Sequence, residues 1–302
     1  MTPVLNGVTI AVVGGDQRQI ILVNALAEMG AILKVIGVPN LKSGPKIIQA
    51  ASIHEALKDA DVLLLPVPGI GDGGRVYAPH LSVPLILTEE TLAHLPLRVP
   101  ILVGVIKKAL KQLVARTGHR VIEYMELDDV AIYNSIPSAE GAIQMAMEAL
   151  PITIHGSNAL VIGFGRTGIT LARMLKGIGA HTYVAARKQK DLARIYECGY
   201  VPVAFAEIDR VLPGMNIIFN TVPALVLDRE KLKKVRPDAY ILDLASHPGG
   251  VDFETAAGLG IKAVLAPGLP GKVAPVTAAQ ILVEVIPKII MQELGLTKKG
   301  DA

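Results

Sequence analysis

The sequence predicts an α/β protein made of two related units, each a parallel sheet covered by helices. A pattern of strand, glycine turn, helix and strand occurs twice, at residues 7–37 and 156–187. A later strand with its following proline also recurs, at residues 61–68 and 216–223. The length of 302 residues leaves room for two domains, each with its own core. We therefore expect two doubly wound halves that repeat one design.

The second copy carries the pattern of a dinucleotide-binding turn. Leu160, Val161 and Ile162 predict a buried strand, and the sequence GxGxxG follows at residues 163–168. The first glycine makes the tight turn, the second admits the pyrophosphate, and the third lets the helix pack on the strand. This half is therefore predicted to be Rossmann-like and to contact its cofactor through Gly163, Phe164, Gly165, Arg166, Thr167 and Gly168.

The first copy lacks the second and third glycines of this motif. Asp16 stands where Gly165 stands in the second copy, and Gln19 takes the place of Gly168. A side chain at the first of these positions blocks the approach of a pyrophosphate, and a carboxylate there also repels it. We expect this degenerate Rossmann-like half to face the substrate instead.

Arg18 is a candidate clamp for a substrate carboxylate, with Gln17 beside it. Ligands bind at the carboxyl ends of the strands in such sheets, which is where this helix start is expected. The alternative, a plain surface arginine, fits the sequence equally well. The loop at residues 66–75 has glycines that suit a ligand, although Asp72 and Arg75 are each expected to be surface residues.

A long helix is predicted over residues 134–150, with Pro137 in its first turn. It joins a substrate domain at residues 1–133 to an NADP-binding domain at residues 151–276. A final helix, within residues 277–302, is expected to cross back and pack on the first domain.

The polar start of this linking helix is predicted to reach the substrate or the nicotinamide. A helix start holds N–H groups without partners, and Asn134, Ser135 and Ser138 lie there as candidate substrate contacts. Glu140 is a candidate catalytic carboxylate. The alternative is ordinary capping together with a surface carboxylate.

The residues after the second strand of the nucleotide half favour NADP, with NAD as the open alternative. NAD-binding units place an acidic residue about 20 positions after the glycines, where it binds the ribose diol. Arg187 and Lys188 occupy that place and offer two cations to a 2′-phosphate. A solvated basic loop would show the same residues. Further cofactor contacts are expected on three later strand-end loops, from Asn220, Thr221, Val222, Pro223, Leu244, Ala245, Ser246, Gly268 and Leu269.

His247 is the candidate acid–base residue, because it is the histidine on a predicted strand-end loop of the nucleotide half. A histidine that only hydrogen-bonds the backbone is the alternative. The other histidines show no metal-ligand spacing, and the sequence has no serine triad, carboxylate pair or P-loop. No metal is therefore expected.

Composition limits the other classes of function. A net charge of +3 and an aromatic content of 4% do not predict a nucleic-acid surface. No run reaches the roughly 18 apolar residues of a membrane helix, and the N-terminus lacks a signal peptide, so we expect a cytoplasmic protein. The single cysteine, Cys198, is expected to be a buried thiol. A hydrophobic content of 51% favours a homo-oligomer.

Four motifs together resemble the family of bacterial dipicolinate synthase A subunits. They are GGDQRQ from Gly14, NSIPSAEGAIQ from Asn134, GFGRTG from Gly163 and DLASHPGG from Asp243, and the resemblance covers nearly the whole chain. It implies oxidation of a dihydrodipicolinate to pyridine-2,6-dicarboxylate with hydride transfer to NADP, on the sporulation branch of lysine biosynthesis. It also implies a flavoprotein-like companion, the B subunit.

Two other functions stay open. An oxidoreductase for a 2-hydroxy or 2-amino acid also pairs a nucleotide unit with a degenerate α/β unit, although the sequence has no obvious His-Glu pair. A nucleotide-binding regulatory or scaffold subunit would leave turnover to a partner, and the absence of a strong catalytic residue is consistent with that role.

Overall fold

Two α/β units make up the part of the chain that the computed structural model describes, residues 4–296. The first unit comprises residues 4–130 and 275–296, and the second comprises Ala131–Ala274. Each contains one six-stranded sheet whose neighbouring strands are parallel. The predicted fold class, two doubly wound halves with a returning C-terminal helix, is confirmed.

The first unit alternates strands and helices, as parallel neighbours require. Its strands are β1 (Thr9–Val13), β2 (Ile32–Ile36), β3 (Ile47–Gln49), β4 (Val62–Leu64), β5 (Ile101–Val103) and β6 (Val121–Glu123). Its first helices are α1 (Gln17–Glu28), α2 (Ile53–Leu57), α3 (Glu89–Ala93) and α4 (Lys108–Thr117). The strand order is β3-β2-β1-β4-β5-β6, which is that of the dinucleotide-binding fold.

Helix α5 (Asp128–Ala149) begins earlier than the predicted linking helix. Pro137 therefore lies inside it, and the carbonyl oxygen four residues before the proline lacks its usual N–H partner. The prediction of a helix start at Asn134 was wrong, because Asp128 and Asp129 form the first turn, where acidic side chains favour the helix dipole.

The second unit repeats the alternation. Its strands are β7 (Asn158–Ile162), β8 (His181–Ala186), β9 (Val201–Ala204), β10 (Ile217–Asn220), β11 (Tyr240–Asp243) and β12 (Lys262–Leu265). Its helices are α6 (Arg166–Ile178), α7 (Gln189–Glu197), α8 (Ile208–Val211), α9 (Arg229–Leu232), α10 (Phe253–Gly258) and α11 (Leu269–Val273). Cys198 follows α7 and is exposed, so the prediction of a buried thiol was wrong: the helix ends at the surface.

The last helix, α12 (Pro275–Glu293), belongs to the first unit. It packs against α1 and joins the first core through Leu282, Val285 and Ile286. Within residues 4–296 it is the one helix long and apolar enough to cross a membrane, and 44% of that apolar window is buried inside the protein. The end of the predicted C-terminal helix, residues 297–302, lies outside the described residues.

The two sheets repeat each other in register. Thr9 pairs with Ile32 in the first sheet, and Asn158 pairs with His181 at the same relative positions in the second. In both units the first glycine after the opening strand donates its N–H to the end of the neighbouring strand, at 2.8 and 3.0 Å. The internal repeat expected from the sequence is therefore present in the backbone.

Candidate functional site

The glycine turn between β7 and α6 is open. A Cβ atom at Gly163 would collide with Thr221 and press on Val222, and one at Gly168 would collide with the carbonyl oxygen of Gly163. A Cβ at Gly165 would meet nothing within 4 Å, and this residue is exposed. It precedes α6 without a side-chain cap. An uncapped helix N-terminus with an empty approach fits a pyrophosphate.

The equivalent turn between β1 and α1 is closed. The Gly15 N–H donates to the carbonyl oxygen of Tyr77 at 2.8 Å, whereas residues 4–296 offer no acceptor for the equivalent Phe164 N–H. Gln19 is fully buried, and its side chain would lie 2.6 Å from a Cβ atom added at Gly15. The Gln19 amide has no hydrogen-bond partner in the described part of the chain. The chain itself therefore fills the space that a pyrophosphate needs.

Asp16 and Arg18 form an ion pair at the start of α1. The Arg18 Nε and Nη2 atoms donate to the two oxygens of Asp16 at 3.0 and 2.7 Å, and the Arg18 backbone N–H donates to Oδ1. Burial works to raise the pKa of Asp16, but the hydrogen bonds and charge of Arg18 outweigh it and hold that pKa below its ordinary value.

Arg18 is thus not the plain surface arginine that the sequence left open. The residue is only 8% exposed, and its Nε and Nη2 atoms are both hydrogen-bonded to Asp16. Its Nη1 atom has no acceptor within residues 4–296. The same ion pair acts on the pKa of the buried Tyr124 hydroxyl. Burial raises this pKa, the charge of Arg18 lowers it, and the charge of Asp16 raises it. Gln17, next to the pair, is exposed.

The two serines predicted on the linking helix bond within their own unit. Ser135 is buried, donates to the Ile132 carbonyl oxygen at 2.6 Å, and lies 2.6 Å from Thr170 Oγ1 of α6. The Ser138 hydroxyl donates to the Asn134 carbonyl oxygen at 2.8 Å. The hydroxyl donors therefore serve the helix, and the argument from an open helix start does not apply to these residues.

Glu140 is exposed on α5. It shares a depression of about 540 Å³ with Met147, Met174 and Ile178. Met174 lies about 12 Å along α6 from the glycine turn, at a rise of about 1.5 Å per residue. Glu140 thus neighbours the second half of α6, away from its N-terminus, and its catalytic role stays a prediction.

A buried carboxylate organises the loops after β10 and β11. Asp243 is fully buried and accepts hydrogen bonds from Asn220 Nδ2 at 2.8 Å, Ala245 N at 3.0 Å and Gly250 N at 2.6 Å. Asn220 is also buried and donates to the Val222 carbonyl oxygen at 3.0 Å. Both of its amide hydrogens are used, so its side chain holds the loop. Sequence analysis missed Asp243, whose signal is a lone carboxylate that ends an apolar strand.

His247 lies on the loop that Asp243 organises. It is exposed together with Ser246, whereas Ala245 and Gly250 on either side are buried. The imidazole has no hydrogen-bond partner among the described residues, which differs from the backbone-bonded alternative. An accessible imidazole on a held loop suits proton transfer.

The other predicted cofactor loops are arranged by backbone contacts. Thr221 Oγ1 donates to the Ile162 carbonyl oxygen at 2.9 Å, and the Leu244 N–H donates to the Asn220 carbonyl oxygen at 2.8 Å. Pro223 is exposed, and Gly268, with φ +69°, directly precedes α11. The Leu269 side chain is buried in the second core, so only its backbone is available to a ligand.

Arg187 and Lys188 follow β8 at the surface. The Arg187 guanidinium lies over the Phe205 ring, 4.9 Å from its centroid, and this stacking orients its planar fork. Lys188 precedes α7, which has no side-chain cap and carries Asp191 in its first turn. Neither cation has an ion-pair partner in the part of the chain described.

Comparison with known proteins agrees with this division of the chain. Residues 9–125 match the family model for the N-terminal domain of the dipicolinate synthase A subunit. Residues 134–248 match the model for the NAD binding domain of D-isomer specific 2-hydroxyacid dehydrogenase. The second unit is thus a nicotinamide dinucleotide-binding domain of the dehydrogenase type, and the chain is an oxidoreductase-like subunit.

Full-length relatives give the family. The chain is 39% identical over 289 residues to the dipicolinate synthase A subunit of Bacillus subtilis (strain 168), covering 95% of this chain and 97% of the relative. The crystal structure of the Bacillus halodurans dipicolinate synthase A subunit has a TM-score of 0.91 at 37% identity, covering 95% and 98% of the two chains. The Bacillus subtilis crystal structure gives 0.90 at 38%, covering 97% and 99%.

A more distant structure shares the fold alone. Transhydrogenase from Sinorhizobium meliloti has a TM-score of 0.65 at 13% identity, covering 93% of this chain and 90% of its own. The relatives of high identity span both units, including the closed turn and the open one. The chain belongs to the family of dipicolinate synthase A subunits.

Proposed function

We propose that this chain oxidises a dihydrodipicolinate to dipicolinate with NADP, in the cytoplasm of sporulating cells, on a branch from lysine biosynthesis. The contrast between the two glycine turns supports this best. One turn is open and is followed by Arg187 and Lys188, whereas the other is filled by Gln19 and Tyr77. One unit is thereby suited to the dinucleotide, and the other is free for a substrate.

In the second unit, residues 163–168 would hold the pyrophosphate, and Arg187 and Lys188 would bind the 2′-phosphate. The loops that Asp243 and Asn220 organise would line the nicotinamide. When bound, the nicotinamide supplies the acceptor for a hydride. The exposed Gly165 and the uncapped start of α6 are the features of this structure that fit the cofactor.

In the first unit, Arg18 would bind one substrate carboxylate through Nη1, with Gln17 beside it. Asp16 would act as a positioning residue, because its two hydrogen bonds fix the plane of the guanidinium. On α5, Asn134 and the half-buried Ser138 remain candidate contacts, Ser138 only as an acceptor because its hydroxyl donates to the Asn134 carbonyl oxygen, whereas Ser135 is buried and bonded.

The oxidation removes one hydride and one proton from the substrate ring. One ring hydrogen would leave as a hydride with both electrons of its C–H bond, and a second would leave as a proton, so that the electrons of the second C–H bond complete the aromatic ring. Because aromatisation favours both losses, orientation of the ring is the main catalytic task. His247 is the proposed base for the proton, since it is exposed and without a hydrogen-bond partner in residues 4–296. Glu140 is the second candidate.

Turnover of a freshly generated dihydrodipicolinate tests the proposal. The full chain, with and without a companion B subunit, is given this substrate and NADP or NAD, and reduced cofactor and dipicolinate are both measured. We expect dipicolinate and NADPH in equal amounts. The relatives are named as subunits, which supports a B-subunit partner and self-association, and mass measurement of the mixture reports both.

The second unit matches a 2-hydroxyacid dehydrogenase domain, which supports 2-hydroxy or 2-amino acids as the alternative class of substrate. The same assay with 2-hydroxy and 2-amino acids distinguishes it. Reduction of cofactor by those acids, and none by dihydrodipicolinate, would replace the proposed substrate. Cofactor binding without reduction in any mixture would instead indicate a regulatory or scaffold subunit.

A further inference from the structure

A cavity at the carboxyl edge of the first sheet has the charge and size of a carboxylate site. It is lined by residues 69, 71, 75–79, 81, 82, 84 and 107 and has a volume of about 330 Å³. The charged residues of this lining are two cations, Arg75 and Lys107. We call it the Arg75–Lys107 cavity. Its volume lies at the lower end of the range for small-molecule pockets, roughly 300–1,000 Å³.

The cavity stands where doubly wound sheets bind ligands. Its walls come from the loops that follow β4 and β5, and Tyr77 joins it to the closed turn after β1 by accepting the Gly15 N–H. These are the carboxyl ends of three adjacent strands. The closed turn therefore leaves this edge of the sheet open to a ligand, because the segment around Tyr77 that closes the turn also forms one wall of the cavity.

The wall that carries Arg75 is held by backbone hydrogen bonds. The Gly71 N–H donates to the Arg75 carbonyl oxygen at 2.7 Å, and the Val76 N–H donates to the Leu85 carbonyl oxygen at 2.8 Å. Gly74, with φ +77°, leaves no room for a side chain beside Leu87. Arg75 is exposed, as the sequence predicted, but its backbone is fixed by these hydrogen bonds.

The charges of the cavity are not balanced by the protein. Neither Arg75 nor Lys107 has an ion-pair partner within the described residues, and no carboxylate among those residues lines the cavity. On the same unit, by contrast, Arg116 is paired with Glu89 at 2.7 Å. Lys107 also precedes α4, whose first turn contains no acidic residue and no side-chain cap, so the helix dipole adds to the positive potential.

The rest of the lining suits a flat ring. Val76, Ala78, Pro79, Leu81 and Pro84 give the cavity a largely apolar surface. A guanidinium binds a carboxylate through two parallel hydrogen bonds, and an ammonium adds a second charge contact. An aromatic or unsaturated ring that bears a carboxylate matches this combination of two cations and an apolar wall.

We propose that the Arg75–Lys107 cavity binds a carboxylate of a planar ring dicarboxylate, as a second cationic anchor in addition to Arg18. The identity of the ligand rests on the proposed function, whereas its charge and ring rest on the lining of the cavity. Arg75 and Lys107 are thus specificity-determining residues that separate dicarboxylates from monocarboxylates.

Calorimetric titration of the full chain with dipicolinate and with the monocarboxylate picolinate tests this. Arg75→Gln and Lys107→Gln are each expected to weaken dipicolinate binding several-fold, and the double variant about tenfold or more, as loss of charge-assisted bonds implies. The affinity ratio of dipicolinate to picolinate should fall in the double variant. Arg116→Gln, which removes an equal charge from α4, is the matched control and should change neither affinity.

Three results would overturn the cavity assignment: no dipicolinate binding by the unsubstituted chain, unchanged affinity in the double variant, or equal loss in the Arg116→Gln control. Thermal unfolding of each variant confirms that the exposed substitutions leave the fold intact. Turnover is scored separately. Normal NADPH formation with unchanged substrate KM in the double variant would refute the cavity and leave the proposed function standing. If dipicolinate binding depended on Arg75 and Lys107 but the chain showed no turnover, the cavity assignment would stand and the proposed function would be refuted.

Discussion

The two glycine turns of this chain share one backbone design and differ in what fills them. Strand, turn and helix are repeated in register, down to the hydrogen bond from the first glycine. At Gly165 the second turn has an empty approach, whereas the first turn carries Asp16 there and packs Gln19 beneath it. The side chains of Asp16 and Gln19, together with the Tyr77 carbonyl oxygen on Gly15, therefore distinguish the closed turn from the open one, although both have the same fold.

The strand ends differ in the same way. Asn220 and Asp243, buried at the ends of β10 and β11, are hydrogen-bonded and hold two loops. The equivalent positions in the first unit are Leu65 and Val103, both fully buried and apolar. A polar pair at this edge costs desolvation and is retained where loops must be fixed around a ligand. The polar, hydrogen-bonded strand ends are thus those of the second unit, where the loops proposed to contact the cofactor begin.

The largest effect is expected from copying the closed turn into the open one. Gly165→Asp places an aspartate in the second turn, at the position equivalent to Asp16. The fold should accept it, because Gly165 has φ −97° and a Cβ atom there would meet no other atom within 4 Å. The carboxylate blocks and repels the pyrophosphate, so NADP affinity should fall by about 100-fold or more. Fluorescence or calorimetric titration of NADP measures it.

Gly177→Ala is the matched control for that substitution. It also lies in free space, on α6, and should leave NADP affinity unchanged while slightly stabilising the helix. Retention of normal NADP affinity by Gly165→Asp would mean that this turn does not hold the pyrophosphate.

The next effect concerns the choice of cofactor by the second unit. Replacement of Arg187 and Lys188 by glutamine should weaken NADP binding by about 10- to 100-fold, because two charge-assisted contacts with the 2′-phosphate are lost. NAD binding should change by no more than about twofold. Dissociation constants for both cofactors check this. Equal losses for NADP and NAD would assign the two residues to another part of the nucleotide.

A smaller effect on binding, with a cost in stability, is expected at the polar strand edge. Asp243→Ala leaves the buried N–H groups of Ala245 and Gly250 without acceptors, which costs about 1–3 kcal/mol of unfolding free energy for each group that stays unpaired. NADP affinity should fall by roughly tenfold as the loop moves. Denaturant unfolding and cofactor titration measure the two quantities.

The equivalent change in the first unit, Val103→Ala, separates loop positioning from general destabilisation. It opens a small cavity in a fully buried site and lowers the free energy of unfolding, but it should not alter NADP affinity. Similar losses of affinity in both variants would show that Asp243 acts on binding only through stability.

The smallest effect belongs to the ion pair at the closed turn. The pKa of Asp16 is lowered in the folded protein, so its ionised form contributes stability that is present above the ordinary value of 3.8 and lost as pH falls through the lower folded value. Asp16→Asn should therefore cost about 1 kcal/mol at neutral pH and nothing in strong acid. A stability difference that stays constant into acid would contradict the pairing with Arg18.

The sequence predicted the fold because its signals were local and repeated. Glycines at Gly14 and Gly163, with apolar runs before them, specify strand, turn and helix without tertiary information. The start of α5 was misplaced because a proline at Pro137 usually marks a first turn, and packing kept it inside the helix instead. Side-chain partners were harder to predict, since each depends on which loops meet in space.

Asp16 shows this difficulty most clearly. Its charge was predicted to repel a phosphate, but the pattern did not disclose that it is bonded to Arg18 two residues later. Arg75, which was expected to be a surface residue, is exposed, as is Lys107, and loops after two strands bring these two distant residues to one cavity. The order of strands and glycine turns thus predicts which edge of a sheet is suited to ligands, whereas the residues that converge there can be identified only in the folded chain.

The stoichiometry of cofactor binding tests the difference between the two turns most directly. Calorimetric titration of NADP into the full chain should give one cofactor per chain, and Gly165→Asp should remove that binding. Two cofactors per chain, or one that survives the Gly165→Asp substitution at full affinity, would contradict the assignment of the cofactor to the open turn alone.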